Sequence, residues 1–403
     1  MKAKQAVWIG RFLSAFALAT ALGGLTANGE TSMKDWKALL EEVVNINSGT
    51  QNIDGLEAVR QVLIPEFEKL GLEATTYDLD DGHKLLTMAA PDAKPEVLLM
   101  GHIDTVFPKE SEFQRFALQG DRLYGPGVID MKGGIVLMRD LIANFSGTDE
   151  LKKFVVMIND DEEIGSPYSK ELLKKLGADI KAGLVFEPGL PDGAVVTSHS
   201  GVYWLTLAVE GKAAHAGLEP QLGINACVEL SDKVVRLATL SDYDKKLSVN
   251  VGKLDGGTKR NVVCEVAKAG IDIRFVEKDD LEKTLAAIQT ITDEMTVYNN
   301  VLDAAPAASL ETLVATPSMP GARTERLYAL LQQAGKAVGQ QVSGRHVGYT
   351  SDANHLADTG MDLLVGLGPY GAGMHTDEEF LTVSTFGERL ALTEALVRQM
   401  LGR

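Results

Sequence analysis

Five residues of metal-binding type stand at the ends of apolar runs in this chain. His102 ends VLLMGHIDTV, Asp130 lies in YGPGVIDMKGG, Glu163 closes FVVMINDDEE, Glu187 follows AGLVFEP and His375 sits in GPYGAGMHTDEE. Short, nearly continuous apolar runs mark strands buried on both faces, and open α/β sheets build their sites where such strands end. Two histidines and three carboxylates can hold two divalent cations if one carboxylate bridges. The cations bring four positive charges and the carboxylates return three negative ones. That donor set suits a two-metal hydrolase.

The surrounding pattern supports an α/β domain. Trp36, Leu39, Leu40, Val43 and Val44 form a helical stripe behind a capping-box spacing at Ser32 and Asp35. A second stripe carries Leu56, Val59, Val62, Leu63, Phe67 and Leu70, and a third, opened by Gly133 and Gly134, carries Ile135, Met138, Leu141 and Ile142. Between them HKLLTMAA, EVLLMGHIDTV, KKFVVMIN and AGLVFE read as strands, so strands alternate with helices over a largely parallel sheet.

From about Ser198 the texture changes. GVYWLTLAVEG alternates like a half-exposed strand, and a helix carries Ile224, Val228, Val234, Val235 and Leu237. KLSVNVGKL and VVCEVAKAGIDIRF follow as strands, then DDLEKTLAAIQTITDEM as a helix. A βαββαβ order on one antiparallel sheet describes a ferredoxin-like α+β insert. The expected division is a catalytic domain over 32–197 and 309–403, interrupted by an insert over 198–308. The α/β texture resumes near Leu310, with RTERLYALLQQAGKAVG as a helix and MDLLVGLG as a strand, and His375 returns to the first sheet.

A chain of 403 residues is long enough for two domains with proper cores. Its formal charge of −17 argues against nucleic acid and anionic membrane partners. Residues 1–27 read as a secretory signal: Lys2, Lys4 and Arg11 precede FLSAFALATAL, with Ala19-Thr20-Ala21 as a cleavage candidate. The mature chain is therefore expected in the periplasm or outside the cell. The alternative is an amphipathic N-terminal helix, or a cytoplasmic chain starting at Met33. No other stretch reaches the ~20 apolar residues of a membrane span. Cys227 and Cys264, the only cysteines, are read as two buried thiols; a disulfide is the alternative that spacing cannot decide.

Each ligand candidate is weak alone, because HID and a run such as Asp160-Asp161-Glu162-Glu163 occur in ordinary solvated loops. Their order is specific. GHIDTV, GPGVIDMKGG, DEEIGS, FEP and MHTDEE, across an α/β frame with an α+β insert, resemble the M20 family of zinc aminoacylases and carboxypeptidases. Gly165-Ser166 directly after DEEI brings the chain nearest its glutamate carboxypeptidase (carboxypeptidase G) group.

The resemblance implies that His102 and Glu187 hold one zinc, that Glu163 and His375 hold the other, and that Asp130 bridges. Cobalt or manganese could substitute. It makes Glu162 the general base and Asp104 the acid that orients the first histidine. It places His215, in GKAAHAG, as a residue that reaches the partner subunit's site and stabilises the oxyanion, and it implies a homodimer formed through the insert. Asn261 and Arg274 match positions that bind a substrate carboxylate, a task that suits the planar guanidinium fork. The implied reaction releases an amino acid, glutamate first, from a small peptide or N-acyl conjugate. Deacylation of N-acyl amino acids and dipeptide hydrolysis are the alternatives. Gly366-Leu367-Gly368-Pro369-Tyr370-Gly371 fits G-x-G-x-x-G after a strand, but no βαβ unit follows, so dinucleotide binding is not expected.

Overall fold

Alternation in the apolar runs divides their side chains between two cores. In the computed structural model, which describes residues 34–402, strand Val97–His102 sends Val97 and Leu99 to one face and Leu98 and Met100 to the other. Strand Phe154–Asn159 does the same, with Phe154, Val156 and Ile158 opposite Val155 and Met157. Successive strand residues point to opposite faces, so both faces of this sheet are buried. Helices Trp36–Val44, Ile53–Glu68, Lys132–Ala143, Glu325–Ala337 and Val383–Met400 pack into the first core. Helices Lys170–Gly177 and Asp352–Leu356 pack into the second.

The sheet has eight strands in the order 73–78, 84–89, 154–159, 97–102, 182–185, 362–365, 195–199, 344–347. Its centre is parallel: Val97–His102 pairs in parallel with Phe154–Asn159 and Ala182–Val185, and the latter pairs in parallel with Asp362–Val365. His102 lies opposite Asn159 in register. The carboxyl ends that carry His102, Glu163 and Glu187 therefore sit side by side.

A five-stranded sheet recruits the remaining two ligand candidates. Pro188–Gly189, directly after Glu187, pairs in parallel with Gly368–Ala372, which leads to His375. Strand Phe380–Thr382 then pairs with Gly368–Ala372 and with Arg122–Tyr124, upstream of Asp130. Most of the glycine-rich segment near 366–371 belongs to strand Gly368–Ala372.

The insert forms a four-stranded antiparallel sheet in the order 248–256, 266–275, 201–210, 307–316, with helices Ala226–Leu237 and Lys278–Asp293 in its core. This is the βαββαβ arrangement read from the sequence. Two details differ. The last insert strand is Ala307–Thr316, so the insert sheet runs past the expected boundary at 308. That strand lies at the sheet edge, and its Leu313 is exposed. Val228 and Val235, expected on the buried stripe, face solvent, while Ala226, Leu230 and Leu237 are buried.

The cysteines are also corrected. Cys227 and Cys264 form a disulfide, with Cα atoms 5.6 Å apart. Cys227 is the second residue of helix Ala226–Leu237, and Cys264 lies just before strand Val266–Phe275, where Ala226 N–H donates to the Cys264 carbonyl. That backbone bond brings the two sulfurs together in a way that spacing alone does not reveal.

The expected N-terminal signal and Ser32 lie outside the described residues. The first described helix is capped by Asp35, whose carboxylate accepts from Lys37 N–H. Among the described residues no helix is long and apolar enough to cross a membrane.

Candidate metal centre

Asp130 occupies the middle of the ligand cluster. One carboxylate oxygen lies 3.4 Å from His102 Nε2, and the other lies 3.2 Å from His375 Nε2. Glu187 Oε1 is 3.7 Å from His102 Nε2, and Glu163 Oε2 is 3.2 Å from His375 Nε2. The geometry separates into a His102, Glu187 side and a His375, Glu163 side, with one Asp130 oxygen directed to each. Glu162 stands between neighbours, its Oε2 3.9 Å from His102 Nε2. A cavity of about 290 Å³ opens onto the cluster, lined among others by Glu162, Pro188, Tyr349, Thr350 and Met374.

The electrostatics show a surplus of buried negative charge. Burial pushes the Glu162 and Glu187 carboxyls well above the usual range, and neighbouring carboxylates add to the rise. Burial, then Asp130, pushes Glu163 up to about 7. Burial acts on Asp130 in the same direction, but the adjacent imidazoles of His102 and His375 outweigh it and hold Asp130 low. His375 is pushed up to about 10 by its bonds to Asp130 and Glu163. His102 also rises, because Asp104 and Asp130 beside its ring outweigh burial.

The donors present fit divalent cations. His102 Nε2 is buried and has no hydrogen-bond partner, although carboxylate oxygens surround it. A buried imidazole nitrogen left unbonded among carboxylates suits a divalent cation, which would stand where a proton otherwise does. His102, Asp130 and Glu163 offer ligand atoms within 4.8 Å of one another, as do His102, Glu162 and Glu187. His102, Glu187 and Asp130 could hold one ion, and His375, Glu163 and Asp130 the other.

The supporting groups go beyond the sequence reading. Asp104 is fully buried. His102 Nδ1 lies 3.1 Å from the Asp104 main-chain oxygen and 3.2 Å from its Oδ1. The Asp104 carboxylate also accepts Glu162 N–H at 3.2 Å, Glu163 N–H at 3.1 Å and the Thr50 hydroxyl at 2.9 Å. Asp104 therefore ties the ends of two adjacent strands together. Glu379 was missed altogether. Buried beneath the Asp130 loop, it accepts N–H bonds from Gly127 (3.2 Å), Ile129 (3.0 Å) and Asp130 (3.2 Å). Its only sequence signal was a place in the acidic run TDEE, which normally reads as solvated. Asp352 is a further buried acid near the cluster, bonded to Ser166 Oγ and pushed up to about 7 by burial.

The insert candidates lie apart from this cluster. His215 and Asn261 sit together on paired loops, where Ala216 N–H donates to the Asn261 carbonyl. His215 Nδ1 accepts backbone N–H bonds from Gly217 and Leu218, both at 3.1 Å. With Nδ1 acting as acceptor, the neutral ring carries its proton on Nε2, an exposed donor. Arg274 is not free. Its Nε and one terminal nitrogen hold Asp272 at 2.8 and 2.9 Å, and the other terminal nitrogen donates to the Gly348 carbonyl at 3.1 Å. Of five guanidinium N–H groups, three are engaged and two remain. Gly348 immediately precedes Tyr349 and Thr350 of the cluster cavity.

Comparison with known proteins agrees with this geometry. The family described as Peptidase family M20/M25/M40 matches residues 98–399. The chain is 28% identical over 377 residues to carboxypeptidase G2 of Pseudomonas sp. (strain RS-16), covering 90% of this chain and 88% of that protein. The crystal structure of aminopeptidase PepT from Bacillus cereus superposes with a TM-score of 0.76 at 22% identity, covering 92% of this chain and 100% of PepT. The Bacillus subtilis YXEP protein, described as a dinuclear metal binding peptidase from the M20 family, superposes with a TM-score of 0.62 at 14% identity, covering 91% of this chain and 99% of that protein.

Proposed function

We propose that this chain, which belongs to peptidase family M20/M25/M40, is a two-zinc exopeptidase that releases a C-terminal amino acid, glutamate first, from a peptidyl or N-acyl conjugate. The observation that carries the reading is Asp130 held between His102 and His375 with Glu162 beside them. Similarity to carboxypeptidase G2 supports the choice of leaving group.

His102, Asp130 and Glu187 would hold one zinc, and Asp130, Glu163 and His375 the other; cobalt or manganese would serve in place of zinc. When bound, the ions polarise the scissile carbonyl and lower the pKa of the attacking water. Glu162, a buried carboxylate of raised proton affinity, accepts the water proton as the new C–O bond forms. It delivers that proton to the amide nitrogen as the C–N bond breaks. Asp104 keeps His102 and the Glu162–Glu163 backbone in place during this exchange. The His215 Nε2–H donates to the developing oxyanion, from the partner subunit of a homodimer built through the insert. Asn261 and the two open N–H groups of Arg274 bind the free carboxylate of the leaving amino acid and so align the amide. Export is supported by the Cys227–Cys264 disulfide, because such bonds persist in oxidising compartments.

A hydrolysis screen with added zinc tests the substrate assignment, using acyl-glutamates, folate-like conjugates, dipeptides and N-acetyl amino acids. Acyl-glutamates should be cleaved with the highest kcat/KM. Preference for N-acetyl amino acids would replace the carboxypeptidase reading with a deacylase one.

A further inference from the structure

His215 and Asn261 are carried on an arm with almost no core. It consists of residues 211–223 and 257–265, joined by backbone bonds such as Val263 N–H to the Ala214 carbonyl and Ala216 N–H to the Asn261 carbonyl. Across these two segments Cys264 is the only buried residue. A segment with few buried contacts opens at small free-energy cost, whatever the stability of the body it hangs from. Beyond its main-chain connections, the arm is tied covalently to the insert core by the disulfide from Cys264 to Cys227, in the helix that starts at Ala226. Gly256 and Gly257 pack around the two sulfurs, where the arm leaves strand Ser248–Gly256.

We propose that Cys227 and Cys264 are positioning residues: their disulfide holds the arm that presents His215 and Asn261, and makes substrate turnover dependent on the oxidised state. The inference rests on the roles proposed above for those two side chains. The disulfide lies on the insert and the ligand cluster on the α/β sheets, so its loss leaves the metal donors intact. Reduction by a water-soluble phosphine breaks the S–S bond and forms two thiols. The phosphorus is oxidised to the phosphine oxide, and water supplies the oxygen and both protons. No other cysteine competes for the reagent.

The test uses the full chain and a Cys227→Ser/Cys264→Ser variant, comparing hydrogen exchange, zinc content and kinetics. The arm amides of Ala216 and Val263 should exchange at least tenfold faster in the variant, with rates in 97–102 and 154–159 unchanged. Zinc content should match the parent. On the best substrate of the screen kcat/KM should fall about tenfold or more. Phosphine should bring the parent to the same values and leave the variant unaltered. Unchanged arm exchange, or two titratable thiols in the untreated native protein, would overturn the proposal. If no substrate is cleaved by either protein, the hydrolase reading fails, while the exchange rates still decide whether the disulfide holds the arm.

Discussion

Replacing Glu379 probes how the loop bearing Asp130 is held. Glu379 touches none of the proposed ligand side chains, yet it accepts three backbone N–H bonds from 127, 129 and 130. Glu379→Ala leaves three buried donors without a partner. Each unsatisfied donor costs about 1–3 kcal/mol, so the loss of stability should be about 3–9 kcal/mol. Glu379→Gln is milder. Its carbonyl can stand at the Oε1 position and still accept from Ile129 and Asp130, while its NH₂ group faces the Gly127 N–H. One orphaned donor predicts a loss of about 1–3 kcal/mol. A displaced Asp130 should also weaken metal binding by about 10–100-fold, the usual effect of removing a group that orients a ligand. Urea unfolding of the metal-free proteins gives the stability order, and zinc titration against a competing chelator gives the affinities. Parental stability and parental zinc affinity in Glu379→Ala would refute the argument.

Three further outcomes follow from the geometry. Glu162→Gln should retain bound metal while kcat falls about 10²–10⁴-fold, as for loss of a positioned base; near-parental turnover, measured alongside metal analysis, would remove Glu162 from that role. His215→Ala should lose about 10²–10³-fold in kcat with zinc unchanged. Mixing it with Glu162→Gln should restore activity on subunit exchange, and proven heterodimers without recovery would place His215 action within one chain. His199 is fully buried, and burial pushes it down to about 4 from 6.5. The unfolded chain binds this proton first, so the associated stability is complete above 6.5 and is lost as pH falls toward 4. That interval corresponds to about 3 kcal/mol. Denaturation from pH 7 to pH 4 should show a shallower decline for His199→Gln, and parallel curves would contradict the assignment.

Period-two alternation and abrupt ends made the central strands legible. The run from Val97 to His102 needs burial on both faces, and it finds both cores. The βαββαβ order was legible for the same reason, since strands such as Val266–Phe275 alternate between buried and exposed positions. What failed depended on contacts distant in sequence. Glu379 reads as a surface acid until strand Phe380–Thr382 pairs with Arg122–Tyr124 and draws it under the Asp130 loop. Arg274 matched a carboxylate-binding position, and its partner Asp272 lies two residues away on the same strand face, where i and i+2 side chains meet. The Cys227–Cys264 bond depends on a helix start meeting a loop 37 residues later. The insert boundary fell short because strand Ala307–Thr316, which pairs with Gly201–Glu210 far away in sequence, carries mostly exposed residues and no clear alternation.

The central claim is that the cluster at the strand ends works as a metal centre for amide hydrolysis. The most direct measurement is metal analysis and turnover on the same purified sample, before and after chelation. About two zinc equivalents per chain should be bound, as in two-metal hydrolases. Chelation should abolish cleavage, and added zinc or cobalt should restore it. Full hydrolytic activity in protein shown to hold no metal would contradict the account.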